Sequence, residues 1–255
     1  MSNLMKAEFY KLYRNKTFWV VAGTVTGLSA LLHLLIIFDW WQLSGTEFDQ
    51  AGLSELNALS PFKLPLFFNL IVSTVAGYYI ATDFSQSGVI KNQLLSGNRR
   101  SYIYLAKLLV FSLASILAAI VIPLVTALIT VTITGYGEIF SPSSVMYLER
   151  AYCLFTLQFL CFTSIVLLIA VVTEDSGKTI LFTLLLSIVM FAIEKLTSEP
   201  IIRFLYEHTF FYQFSDAFKI SMSTGEVVTS IAIGAVELIV ITSCGIFLFN
   251  RKEMN

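Results

Sequence analysis

Six runs of roughly 20 residues, each nearly free of charge, recur along this chain, and each is long enough to cross a hydrocarbon core of about 30 Å as a helix. They fall near 18–38, 63–82, 107–134, 152–173, 178–197 and 227–249. In lipid the backbone finds no water, so each segment must satisfy its own amides and carbonyls, which a helix does internally. The alternating ten-residue strands of a membrane barrel are missing. Only 13% of the 255 residues are charged, against roughly 25% in a soluble domain. The expected fold is an all-α integral membrane protein, one transmembrane domain over residues 1–255. A soluble enzyme, a nucleic-acid-binding module and a disordered tail are excluded. The third run has 28 positions, about 42 Å of helix, so it must tilt, kink at Pro123 or protrude.

Charge sets the expected orientation. With the N-terminus in the cytoplasm, eleven Lys and Arg fall inside and five outside, while the acids sort five inside and eleven outside, with Glu237 within a span. The excess of inside cations places both termini in the cytoplasm. Trp19 marks the inner edge of the first span, and Trp40 and Trp41 its outer edge. Cys153, Cys161, Cys244 and the two histidines lack metal-ligand spacing, so neither metal nor cofactor is expected on this chain. No small-residue cleavage pattern of a signal peptide is evident.

Residues 1–17 precede the first span. Met5, Phe9, Leu12 and Tyr13 recur at helical spacing, with Lys6, Lys11 and Arg14 mostly elsewhere, as in an amphipathic helix lying in the membrane interface. The plainer reading is a basic leader that only sets topology. The loop at 83–104 is more informative. Ser85 or Ser87 can start a short helix, Gly97 can end it in a left-handed conformation, and Ile90 and Leu94 share one face. A two-turn helix is marginal alone in water and needs something to pack against. A docking element fits this pattern; an ordinary basic loop is the alternative.

At these two segments the sequence resembles permease subunits of type-2 ABC exporters, the small bacterial six-span kind. The leader of that family carries E-x-x-K, here Glu8 to Lys11 with Phe9 and Arg14 beside them. Its loop carries an acid, a Gly, a hydrophobic stretch, Lys, Leu-Ser-Gly and Arg, here Asp83, Gly88, Lys91, Leu95, Ser96, Gly97 and Arg100. The resemblance implies that the loop helix is a coupling helix resting in a cleft of a separate cytosolic ATPase. Asp83 and Arg100 would then stand at its membrane-proximal ends, with Arg99 beside the latter. Lys91, Asn92 and Gln93 would face the partner, and Gly97 would set the turn. Glu174 and Asp175, in the short loop after the fourth span, would make a smaller second contact or form a plain polar turn. It further implies two permeases, as a second copy or a paralogue, with two ATPases that bind ATP and Mg. It also implies a bacterial cell-membrane location and cargo such as antimicrobial peptides, toxins, antibiotics, drugs or lipids.

Residues 198–226 are too polar to span and too apolar for a solvated loop. Short extracellular helices dipping into the membrane are expected there, with Phe210, Phe211 and Tyr212 as an outer gate. Glu237, near the middle of the sixth run, should face the bundle interior, pair or stay protonated, because an ionised carboxylate there costs roughly 3 kcal/mol. It reads either as a path or interface group, or as a structural carboxyl. Thr126 and Thr130, with Thr134, share one face of the third run, as packing contacts or a hydrated path. The chain has no G-x-x-x-x-G-K-[ST] loop, so it is not expected to hydrolyse ATP itself. A secondary transporter or channel is the alternative class, followed by an intramembrane enzyme, for which no H-E-x-x-H or rhomboid-like G-x-S setting is present.

Overall fold

The structure, a computed structural model, describes residues 2–85, 89–135, 141–195 and 200–252. All regular structure among them is helical. Six helices are long and apolar enough to cross a membrane: Lys16–Ile37, Pro65–Phe84, Arg100–Ile133, Pro142–Thr173, Ser176–Lys195 and Thr224–Arg251, the first to sixth spans. The third and fourth begin well before their apolar runs. Hydropathy locates the lipid-facing part of such a helix, and Arg100 and Pro142 start helices that continue unbroken into it.

Two spans contain a widened π turn, at Gly77–Ala81 and at Leu117–Val121. The second lies just ahead of Pro123. Proline lacks the N–H that bonds one turn back, and its ring strikes the preceding turn, so the extra residue absorbs the misfit. Ser29 donates to the Pro123 carbonyl at 3.2 Å, tying the first span to the third there.

The second, third and fourth spans form the centre: 61%, 56% and 61% of their apolar stretches are buried, against 22%, 17% and 11% for the first, fifth and sixth. The first span leans on the outer part of the third, the fifth on the second, and the sixth on the fourth and third. The sixth span is seated at two glycines. A Cβ at Gly234 would stand 2.9 Å from Gln158 and Leu157, and one at Gly245 only 2.0 Å from the Tyr104 hydroxyl. Gln158 also donates to the Ser230 carbonyl at 2.9 Å.

The two ends of the bundle differ in charge. The basic end carries the N-terminal helix Ser2–Arg14, the loop helix Val89–Leu95 and the turn between the fourth and fifth spans. The acidic end carries the short helices Glu47–Gln50, Ser54–Lys63, Pro200–Glu207 and Phe210–Asp216. The last of these is re-entrant. Its first amide, at Phe210, meets the carboxylate of Glu237 midway along the sixth span at 2.8 Å. From there the chain climbs along the fourth span. Phe211 touches Phe162, Phe214 touches Phe155, and the Phe218 carbonyl accepts from Tyr147 at 2.9 Å. Phe68 of the second span lies at the centre of this layer, its ring 4.9–5.9 Å from those of Phe155, Phe159, Phe162 and Phe214.

Candidate coupling site at the basic end

The N-terminal helix docks through residues one turn apart. Leu4, Glu8 and Leu12 are buried, while Phe9, Tyr10 and Tyr13 point outward. The apolar face expected to include Leu12 is therefore split: Phe9 and Tyr13 remain on the outer surface, and Leu12 turns inward beside Glu8. Arg14 stays exposed, its guanidinium 5.1 Å from the Tyr10 ring. Asn15 then accepts from the Phe18 amide at 3.1 Å and starts the first span.

Glu8 enters a buried knot of charge. Its Oε1 accepts from Lys107 of the third span at 2.8 Å and from Gln93 of the loop helix at 3.0 Å. Its Oε2 accepts from the Tyr79 hydroxyl of the second span at 2.8 Å. Asp83, at the end of the second span, takes close contacts from both Lys107 and Lys11. The Lys11 ammonium also sits 4.0 Å over the Tyr79 ring. Two carboxylates meet two ammonium groups, so the knot is neutral, and Lys107, Glu8 and Asp83 expose 1%, 3% and 6% of their side chains. Ions so deeply buried are tolerable only when each is paired and hydrogen-bonded. Burial opposes ionisation of Glu8, but Lys107 and Lys11 more than offset it, holding its carboxyl at about 2. Burial, then repulsion from Lys107, pushes the Lys11 ammonium below its ordinary value despite the attraction of Glu8 and Asp83.

A second tie lies beside the first. Arg100, at the start of the third span, donates to the carbonyls of Phe249, Asn250 and Lys252 at 3.3, 3.0 and 2.5 Å. These include the unpaired carbonyls at the end of the sixth helix, where a cation also suits the dipole. Lys252 in turn pairs with Glu174 at 2.8 Å and donates to the Val171 carbonyl. Glu174 ends the fourth span with φ +54°, and Asp175 accepts from the Lys178 amide at 2.8 Å to start the fifth.

The residues proposed from the sequence thus divide into two sets. Asp83, Arg100, Glu174 and Asp175 make contacts within the chain. So does Gln93, whose amide reaches the Glu8 carboxylate. A buried carboxylate at Glu8 is a stronger acceptor than water offers, and it draws the amide inward. Lys91 is half-buried, while Asn92, Ser96, Gly97 and Arg99 are exposed. Gly97 has φ +81° and its amide bonds the Leu94 carbonyl, closing the loop helix. Ser87 and Gly88 lie outside the described residues. Leu95 is 84% exposed at the end of a helix whose Ile90 is buried. Lys107 and Tyr79 were missing from the expected coupling set, and Leu95 stood in the loop motif with no contact assigned to it. The available signal for Lys107 was a lone charge flanked by apolar residues on a helix, which demands a partner.

At the other end, Phe210 and Phe211 are buried in the aromatic layer and Tyr212 is half-exposed. Glu237 accepts from the first amide of the re-entrant helix, and nothing cationic approaches it among the described contacts. Thr130 and Thr134 donate to the carbonyls of Thr126 and Thr130 in their own helix. Asn69 of the second span bonds the Thr183 carbonyl and the Ser187 hydroxyl of the fifth at 2.7 and 2.9 Å.

The model of the family described as ABC-2 family transporter protein matches residues 4–192. That stretch contains Glu8, Lys11, Asp83, Gln93 and Lys107, the whole of the charged knot. The chain belongs to the ABC-2 transporter family. It is a multi-pass membrane permease. The match covers the first four spans and nearly all of the fifth, and it stops short of the re-entrant helix and the sixth span. No match was found among curated proteins or among solved structures.

Proposed function

We propose that this permease is the membrane half of an ATP-driven exporter and that a separate cytosolic ATPase docks on the loop helix through Asn92, Leu95, Ser96 and Arg99. Family membership supports association with ABC ATPase subunits. The observation that carries the docking surface is Leu95: a large apolar side chain held 84% exposed on a helix otherwise anchored by Ile90 and Gln93. An apolar centre with a polar rim is the ordinary anatomy of a protein interface. The partner would bind ATP and Mg, and this chain would do no hydrolysis. Both termini lie in the cytoplasm in this reading, the membrane is bacterial, and two permeases work with two ATPases. Cargo of the peptide, toxin, antibiotic or lipid class fits a transporter of this size.

Motion of the docked loop reaches the membrane through the charged knot, because Gln93, Glu8, Asp83 and Lys107 belong to four separate segments. The test is co-purification of the tagged full chain with a P-loop ATPase from its own host membranes. Leu95→Glu should weaken capture by about 2 kcal/mol, roughly thirtyfold, with unchanged membrane insertion. Undiminished capture and undiminished ATP-driven efflux by that variant would refute the docking surface.

A further inference from the structure

Leu4, Glu8 and Leu12 dock the N-terminal helix against the bundle, and its opposite side presents Lys6, Phe9, Tyr10, Tyr13 and Arg14, all exposed. At about 100° per residue these five fall within roughly 140° of one another, so they form one face. Phe9, Tyr10 and Tyr13 are 42%, 60% and 70% exposed. Rings left this open are costly in water and favoured at a membrane border, where an apolar body meets a polar layer.

The first span shows which way the face looks. Trp19, in its first turn, stands edge-on to Tyr13 with ring centres 5.9 Å apart and donates to the Tyr13 carbonyl at 2.8 Å. Val20, next to it, is 66% exposed on a helix with 22% of its apolar stretch buried. Lys16 leads that turn, three and four residues before Trp19 and Val20, and so lies on the same side. The aromatic face therefore runs on into the exposed apolar side of the first span, at the level where that span enters the membrane.

Charge then selects the headgroup. Lys6, Arg14 and Lys16 are exposed, and none enters an ion pair among the described residues. The Arg14 guanidinium lies 5.1 Å from the Tyr10 ring, which steadies it while its N–H groups stay available to an acceptor. Glu8 is the one carboxylate of residues 2–17, and it is closed inside the knot with Lys107 and Lys11. No acid on this segment opposes the three cations. Cations at the foot of a membrane-crossing helix attract anionic headgroups, each contributing about fivefold in affinity.

We propose that this face binds anionic phospholipid in the leaflet at the basic end, with Lys6, Arg14 and Lys16 meeting phosphate and the rings beside them reaching the acyl chains. Neither an ATPase nor any cargo enters this inference. The helix is then held from two sides, by the knot within and by lipid outside, so anionic lipid favours the docked position of Glu8 and Lys11.

Trp19 can report on its own surroundings once Trp40 and Trp41, past the other end of the first span, are changed to Phe. The purified full chain carrying Trp40→Phe and Trp41→Phe is placed in phosphatidylcholine vesicles without nucleotide. Quenching of Trp19 by chain-brominated phosphatidylglycerol is compared with quenching by the matching brominated phosphatidylcholine. One lipid meets one or two of the three cations, so phosphatidylglycerol should hold the positions beside Trp19 about tenfold more tightly. Lys6→Gln with Arg14→Gln and Lys16→Gln should bring the ratio near one, whereas Lys6→Arg with Arg14→Lys and Lys16→Arg should keep it. Sodium chloride should weaken the preference in the parent chain with no substitution at these three positions. Inorganic phosphate at equal ionic strength should do no more than the chloride; a larger displacement would assign the face to a free anion and overturn the lipid reading. Equal quenching by the two lipids, or a preference that survives both salt and the neutral set, would also overturn it. Amide exchange over residues 2–14 should slow several-fold in phosphatidylglycerol, and exchange indifferent to lipid charge would refute the two-sided hold.

Discussion

The two ends of the bundle hold their short helices by opposite means. At the basic end, three buried ions and the half-buried Lys11, from three segments, close a neutral knot, with Tyr79 and Gln93 completing its bonds. At the acidic end, the re-entrant helix is held by rings around Phe68 and by one carboxylate on one amide. Ion pairs are all-or-none, because a missing partner leaves an uncompensated charge. Ring contacts are many and individually replaceable. A stiff basic end fits the proposed docking of an ATPase on the loop helix.

Breaking the knot should give the largest effect. Lys107→Met leaves Glu8 and Asp83 with Lys11 alone, and a loss of about 3–5 kcal/mol is expected. It would be read as a lower unfolding temperature and faster hydrogen exchange over the N-terminal helix. Adding Asp83→Leu removes the surplus charge and should recover most of that loss; no recovery would mean that shape, not charge balance, holds the knot. Acid probes the same point more gently. Glu8 titrates at about 2 in the folded chain against an ordinary 4.5. Its stabilisation is therefore complete above pH 4.5 and fades as pH falls toward 2. Exchange protection of residues 2–14 should follow that course, and protection unchanged to the lowest pH would contradict the pairing.

The sixth span touches both halves and sharpens the contrast. Gly245→Ala forces a methyl into Tyr104 near the basic end and should cost about 1–3 kcal/mol in thermal stability. Gly234→Ala meets the Gln158 amide and Leu157 Cγ at 2.9 Å, a milder clash than 2.0 Å, and should cost less. A reversed order would place the tighter seat at the acidic half. Phe68→Leu should cost only about 1 kcal/mol, since the four neighbouring rings still touch one another. A loss as large as that of Lys107→Met would erase the distinction between the ends. Glu237→Gln is the mildest, under about 1 kcal/mol, because an amide oxygen still accepts from Phe210. A strong transport defect in that variant with normal stability would restore a path role for the carboxylate.

Much of this was legible in the sequence. The six spans follow from apolar runs that have nowhere else to go, and the turn at Gly97 follows from a glycine after a short helical pattern. Asp83, Glu8 and Lys11 stood out by their motif positions. Lys107 was passed over because it looked like a membrane-edge anchor, and the helix that begins at Arg100 carries it a further two turns inward. Leu95 stood in the loop motif with no contact assigned to it until Ile90 was seen to take the buried face. Gly234 and Gly245 have no local signature at all, since what they admit is a side chain from another span.

By itself, then, the sequence determined how often the chain crosses, that its two ends differ in charge, and which family it belongs to. These depend on composition and on local order, which survive without knowledge of any neighbour. Only the tertiary structure decided which charges meet, which faces of the N-terminal and loop helices turn inward, and where the re-entrant helix begins. Those are matters of distances between residues up to 152 positions apart, as from Arg100 to Lys252. A buried ion selects its partner by proximity and desolvation together, and neither is written along the chain.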